Sequence, residues 1–246
     1  MFSDWITYYW PQILSPFEII PGVYNLPWLY ILLQPLRLVG QYPGLILVQL
    51  LSILVILKLV HKLQLSKWRS MLVFSSAPVI WNIFMGQIDG ILLAAYLSIP
   101  AISAFLFLCK PQINLGAAFA SIRKKPILFI AITILLVGSA WLIWRWPFSI
   151  RETEDLSGNL SFLIPPILVS GWNWSLWPWG FLLLPLWIRF KNDSGLAISP
   201  FLLPYAGLQS LIGLMLFAAK YFPAWALILT WLLFWLRWAW MLKLIG

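Results

Sequence analysis

The chain has 246 residues, 62% of them hydrophobic and only 9% charged, against about 25% charged in a soluble domain. So little charge cannot cover a water-facing surface, which excludes a soluble globular fold and leaves an all-α, polytopic membrane protein with a single transmembrane domain. The net charge of +9 encodes orientation in such a chain, not nucleic-acid binding, and the lone Cys109 and lone His61 exclude an internal disulfide framework and any His/Cys metal cluster.

Residues 1–26 carry Asp4, Glu18, Tyr8, Tyr9, Trp10 and Tyr24 among Pro11, Pro16 and Pro21. They are too polar and too broken to span, and read as an outer, interfacial loop with short helical pieces. Residues 1–10 have neither a basic start nor an apolar core, so no signal peptide is expected. The aromatics fit an ordinary interface belt or a shelf for a sugar or head group. Residues 26–39 form an apolar run of roughly half a membrane thickness, ended by Arg37 and Gly40. Residues 43–60 are long enough to span. Lys58, Lys62, Lys67 and Arg69 follow with no acidic residue, which places that loop in the cytoplasm and the N-terminal loop outside. Residues 70–85 return outward, with a kink expected at Pro78.

The next stretch concentrates the polar chemistry. It reads MGQIDG from Met85, an apolar run broken at Pro100, then CKPQ from Cys109, so Gln87 and Asp89 are followed by Lys110 and Gln112. Ionisable groups at bilayer depth are costly and usually line a site or a water-filled cavity. The competing reading is an interfacial turn and a snorkelling lysine; the spacing of the two clusters favours a site. Residues 91–99 and 101–108 are each shorter than the roughly 20 residues a span needs, and read as a hairpin of two short helices that returns Lys110 to the outer side. Residues 113–122 then descend to Arg123, Lys124 and Lys125. One continuous span from 91 to 108 would put that basic triplet outside.

Residues 126–146 go out again. Arg151, Glu152, Glu154, Asp155 and Asn159 make the most polar loop, read as a solvated connector. Residues 162–169 are short and interfacial or re-entrant, and Trp172, Trp174, Trp177 and Trp179 form a girdle. Residues 177–188 head inward to Arg189 and Lys191, 196–219 come out through Pro200 and Pro204, and 223–242 descend to Lys243, giving a cytoplasmic C-terminus. The sum is roughly seven to nine membrane-embedded helices, several short or kinked, in a multi-pass protein of the cell membrane: residues 1–26 an outer loop, 27–246 a helical bundle. The 18 prolines and 18 tryptophans fit broken helices with interfacial ends.

Several short motifs stand in a fixed order. They are Asp4 with Tyr8 and Tyr9; Pro16-Phe17; Asn25-Leu26-Pro27-Trp28, ending at Pro35; Gly86-Gln87-Ile88-Asp89-Gly90-Ile91-Leu92-Leu93; Lys110-Pro111-Gln112; Arg123-Lys124-Lys125; and Ser199-Pro200-Phe201 with Tyr205. This order resembles the GT-C superfamily of integral-membrane glycosyltransferases, nearest to its polyprenyl-phosphate-mannose-dependent alpha-mannosyltransferase-like branch, in a short or N-terminally truncated form. The resemblance implies transfer of a hexose, mannose first, from a polyprenyl-phosphate donor to a lipid or glycan acceptor on the outer side. It implies Asp4 as the carboxylate that takes the acceptor proton and Lys110 as a phosphate contact. It makes Gln87, Asp89 and Gln112 groups that position the sugar or acceptor, and Tyr8, Tyr9 and Trp28 apolar shelves. No Gly-rich nucleotide motif is present, so no sugar-nucleotide donor and no cofactor or metal are expected. The alternatives are a non-catalytic membrane scaffold or assembly subunit derived from that fold, and a lipid or solute transporter, whose mark would be inverted repeats; no internal repeat is evident.

Overall fold

The computed structural model describes residues 3–18, 25–145, 174–176, 178–203 and 206–243. Tyr24, the polar loop at 151–159, the segment 162–169, Trp172, Trp177, Pro204 and Tyr205 lie outside the described residues. The structure is all-helical, 83% helix, with no strand among the described residues.

The N-terminal helix contains a π-helical turn (Trp5–Tyr9) that runs directly into α1 (Trp10–Leu14). α2 (Trp28–Leu33) and a 3-10 turn (Gln34–Leu38) follow, and Gly40, at φ +90°, swings the chain into α3 (Gln41–Lys62). α3 buries Val48, Gln49, Ser52, Ile56 and Leu59 on one stripe and leaves Ile46, Leu50, Leu54 and Leu57 exposed on the other. An apolar face of that length suits lipid, not water.

α4 (Lys67–Phe74) and α5 (Ala77–Met85) return from the far end of α3. They are separated at Ser75 and Ser76 because Pro78, in the first turn of α5, has no amide to give and its ring would strike the Phe74 carbonyl four residues back. This is the expected kink. α6 (Asp89–Leu92), extended by a 3-10 turn (Leu93–Leu97), folds back on α5 at 117°. α7 (Pro100–Cys109) climbs again and α8 (Pro111–Lys124) descends. Both open on a proline, which costs nothing in a first turn whose amide has no intrahelical partner. The tip of this hairpin lies beside Lys62, whose ammonium donates to the Tyr96 carbonyl at 2.6 Å. Its return brings Lys110 onto Asp89. The hairpin about Pro100 is therefore present.

α9 (Pro126–Trp144) leads back toward the N-terminal segment, where the Trp144 indole donates to the Pro16 carbonyl at 2.8 Å. α3 and α9, with mean hydropathies of 2.4 and 2.5, are long and apolar enough to cross a membrane, and α5 with α6 makes a third span if the bent pair counts as one. Four further apolar stretches of 10–17 residues are shorter, the longest of them within the last helix.

A 3-10 turn (Trp179–Leu183) and α10 (Pro185–Phe190) head toward the basic end, as expected. The next stretch corrects an expectation. Residues 196–219 are not one outward segment: α11 (Ser194–Ile198) leads out, a 3-10 turn (Leu208–Leu211) reverses the chain, and α12 (Ile212–Tyr221) comes back against it. Phe190 then meets Phe217 edge-on at 5.2 Å, and Asp193 pairs with Lys220 at 2.7 Å. Ser199-Pro200 and Gly207 cut the apolar run into pieces too short to cross, so it doubles back.

That reversal changes the sense of α13 (Ala224–Lys243). It starts beside Arg69, whose guanidinium donates to the carbonyls of Ala219 (2.6 Å) and Phe222 (3.0 Å). It passes Ser75 with Trp231 and Trp235, then reaches Trp81 with Trp238 at 5.6 Å. α13 thus runs parallel to α4 and α5, and its last turns lie at the end that holds the N-terminal helix. The C-terminal end of α13 is opposite the basic loops, not with them.

Candidate functional site

The site is built on the corner after α5. Gly86 ends that helix in the left-handed conformation (φ +73°), and the Gln87 amide closes on the Asn82 carbonyl at 2.8 Å, a Schellman-type stop. A Cβ at Gly86 would lie 2.6 Å from the Cβ of Trp5. Glycine is needed twice, for the backbone turn and for the N-terminal helix that lies on it. Trp5, fully buried, anchors that helix further by donating its indole N–H to the Gln41 carbonyl at 3.0 Å.

This contact sets Asp4 and Tyr9 over Gln87. The Gln87 amide nitrogen donates to Asp4 Oδ2, and its Oε1 accepts the Tyr9 hydroxyl at 2.9 Å. The π turn explains the choice of tyrosine. Its i to i+5 repeat brings residues five apart toward one face, so Asp4 pairs with Tyr9 while Tyr8 turns outward, 38% exposed.

A second layer lies beneath. Gln49 Nε2 donates to the Gln87 carbonyl at 3.0 Å, and Gln49 Oε1 accepts Asn82 Nδ2 at 3.2 Å. Asn82 Oδ1 accepts the Gly90 amide at 3.2 Å. Asp89, fully buried, forms an ion pair with Lys110 and accepts the Ser210 hydroxyl at 2.9 Å. Both charges reach Asp4. Its pKa lies above the usual 3.8, chiefly because burial disfavours the carboxylate; the Ser3 hydroxyl, Lys110 and Gln87 pull it down, and Asp89 pushes it up.

The structure therefore brings together Asp4, Tyr9, Gln87, Asp89 and Lys110. It leaves three expected residues elsewhere. Tyr8 faces out. Trp28 donates to Ser139 Oγ at 3.0 Å and lines, with Ile31, Leu32, Phe105 and Leu136, an open apolar groove of about 360 Å³. Gln112 is half-buried in the first turn of α8 and bonds to no described side chain. Lys110, the residue implied as a phosphate contact, is paired within the chain. Its side chain is 9% exposed and its charge is matched by Asp89. Ser199, from the late Ser-Pro motif, sits where α8 crosses α11: it accepts the Gly116 amide at 2.9 Å and donates to the Gly195 carbonyl at 2.6 Å.

Sequence reasoning missed Gln49, Asn82 and Ser210. The two amides had a signal, since each stands within an apolar helix where an unpaired amide is costly. Ser210 had none. No group of three or more His, Cys, Asp or Glu that could hold a metal ion occurs among the described residues. The chain matches no family model, no curated protein and no solved structure.

Proposed function

We propose that this chain is a membrane glycosyltransferase that moves a hexose from a polyprenyl-phosphate donor to a lipid or glycan acceptor, with a GT-C-like bundle of roughly seven to nine embedded helices. In this reading the Asp4 end faces outside the cell membrane and the basic loops face the cytoplasm. The observation that carries it is the convergence of Asp4 on Gln87, from 83 residues away, beside the Asp89–Lys110 pair.

The chemistry asks for one base. The acceptor oxygen bonds to the anomeric carbon while that carbon's bond to the donor phosphate breaks. The hydroxyl proton passes to the Asp4 carboxylate, and the electron pair leaves with the polyprenyl phosphate. Asp4 suits that role because it is half-buried, its pKa is raised by that burial, and a charge-assisted hydrogen bond from Gln87 fixes it. The Asp89–Lys110 pair acts as a positioning element that ties the start of α6 to the α7–α8 corner. The groove beside Trp28 suits an isoprenoid chain.

The test is reconstitution in liposomes with radiolabelled polyprenyl-phosphate-mannose and mixed lipid acceptors. Label should move into a new lipid, and Asp4→Asn should slow this by about 100-fold or more. A base works only when ionised, so the wild-type rate should rise with pH, with its ascending limb at higher pH than an ordinary aspartate gives. Transfer unaffected by Asp4→Asn would remove Asp4 from the role.

A second reading is a non-catalytic assembly subunit of the same fold. It is favoured by the closure of the network: Gln87, Asp89 and Lys110 are 5%, 0% and 7% exposed, and each is satisfied from within. It predicts a folded protein with no transfer from any lipid-linked sugar.

A further inference from the structure

A second polar site lies at the basic end of the molecule, away from the Gly86 corner. A partly enclosed cavity of about 80 Å³ opens between the last turn of α3, the tip of the α6–α7 hairpin, the end of α8 and the turn at Asn192 and Asp193. It is roomier than a single water requires and too small for a sugar.

Its lining is rich in donors. Lys62 and Lys124 stand at the mouth, both exposed. Lys62 gives one N–H to the Tyr96 carbonyl and keeps the others for a ligand. Lys124 forms no ion pair with any described residue. Ser121 lines the cavity at 5% exposure, and its hydroxyl bonds to no described residue. That leaves the hydroxyl free to meet a ligand in the cavity. The ten-residue α7 begins at Pro100 on the cavity wall, so the positive end of its dipole lies beside the same space. The one carboxylate in the wall, Asp193, is already engaged: its Oδ2 accepts from Lys220 Nζ and the Tyr221 hydroxyl, both at 2.7 Å.

We propose that this cavity is a phosphate-binding site, taking the phosphoryl group of an anionic lipid head group or of free phosphate. Two cations and a hydroxyl that approach from different elements, beside the positive end of a helix, match a tetrahedral oxyanion, with no unpaired carboxylate to repel it. A position at the basic end, level with the ends of α3 and α8, is where lipid phosphates lie against a membrane protein. The site uses no residue of the outer network and stands apart from the transferase reading.

The experiment uses the purified full chain in non-ionic detergent, titrated with radiolabelled inorganic phosphate and, in parallel, with phosphatidylglycerol followed by native mass spectrometry. Saturable binding of one phosphate group per chain is expected. Lys124→Ala should weaken it at least about tenfold, the worth of one charge-assisted hydrogen bond. Asn192→Asp, which sets a carboxylate at the mouth, should weaken it as much. Lys67→Ala, an exposed charge outside the cavity, should leave it unchanged. Displacement of the label by phosphatidylglycerol, with the same residue dependence, identifies a lipid as the source; binding of phosphate without displacement identifies the free anion. Lys124 is exposed, so its variant is expected to melt with wild type and keeps the test valid should Asn192→Asp misfold. Absence of saturable binding of either ligand overturns the proposal, as does a loss equal in Lys67→Ala and Lys124→Ala.

Discussion

Asp89 and Lys110 show what a single side chain is worth here. The Asp89 side chain is 1% exposed and that of Lys110 is 9% exposed. Removing one partner leaves the other buried and uncompensated, which costs about 3–5 kcal/mol, whereas removing both removes the desolvation penalty with the attraction. Lys110→Ala is therefore expected to lower the thermal unfolding midpoint in detergent sharply. Asp89→Leu combined with Lys110→Met should return to within about 1 kcal/mol of wild type. A double variant as unstable as the single one would mean that the pair is not the main holder of the hairpin. Asp4 differs, being half-buried and hydrogen-bonded by Ser3 and Gln87, with no ion-pair partner among the described residues. Its chemistry stays available, while that of Asp89 is spent on the fold.

At the scale of elements, the corner after α5 organises the site. Gly86→Ala meets two obstacles, φ +73° and a Cβ 2.6 Å from that of Trp5. The backbone term alone costs about 1 kcal/mol, and the clash pushes the N-terminal helix away from Gln87. Faster amide exchange over residues 3–14, with lower stability, is the expected result. Gly138→Ala in α9 is the control, since nothing lies within 4 Å of its Cβ position, and it should be neutral or slightly stabilising. Unchanged exchange in Gly86→Ala would separate the N-terminal helix from the corner. The π turn is the other element-scale device. It was invisible in Asp4, Tyr8 and Tyr9 as letters, because an α-helix would pair Asp4 with Tyr8, four residues on, while a π turn takes the residue five on.

The whole molecule sets which end each segment reaches. Arg145, at the close of α9, and Leu242, late in α13, share the end of the N-terminal helix, and Lys125 lies at the other. Arg145→Cys and Leu242→Cys should label from one side of a sealed vesicle with an impermeant maleimide, and Lys125→Cys from the other. Cys109, at 1% exposure, should stay silent. Labelling of Leu242→Cys together with Lys125→Cys would restore the cytoplasmic C-terminus that charge placement had implied. Charge and packing disagree there because Arg237 and Lys243 are isolated basic residues, and the rule depends on clusters such as Arg123, Lys124 and Lys125.

By itself, the sequence determined that the chain is helical and apolar. It also marked where the polar chemistry gathers, because an amide or a charge in hydrocarbon is rare enough to read one residue at a time. Gln87, Asp89 and Lys110 were legible for that reason, and so was the hairpin, whose halves are too short to cross. Only the tertiary structure decided which aromatic joined them, that Lys110 is neutralised by Asp89, that Ser210 completes the pair, and that residues 194–221 turn back. Those outcomes depend on distances between segments up to 121 residues apart. Local pattern carries no information about such distances; packing fixes them, by matching each buried donor with an acceptor from another helix.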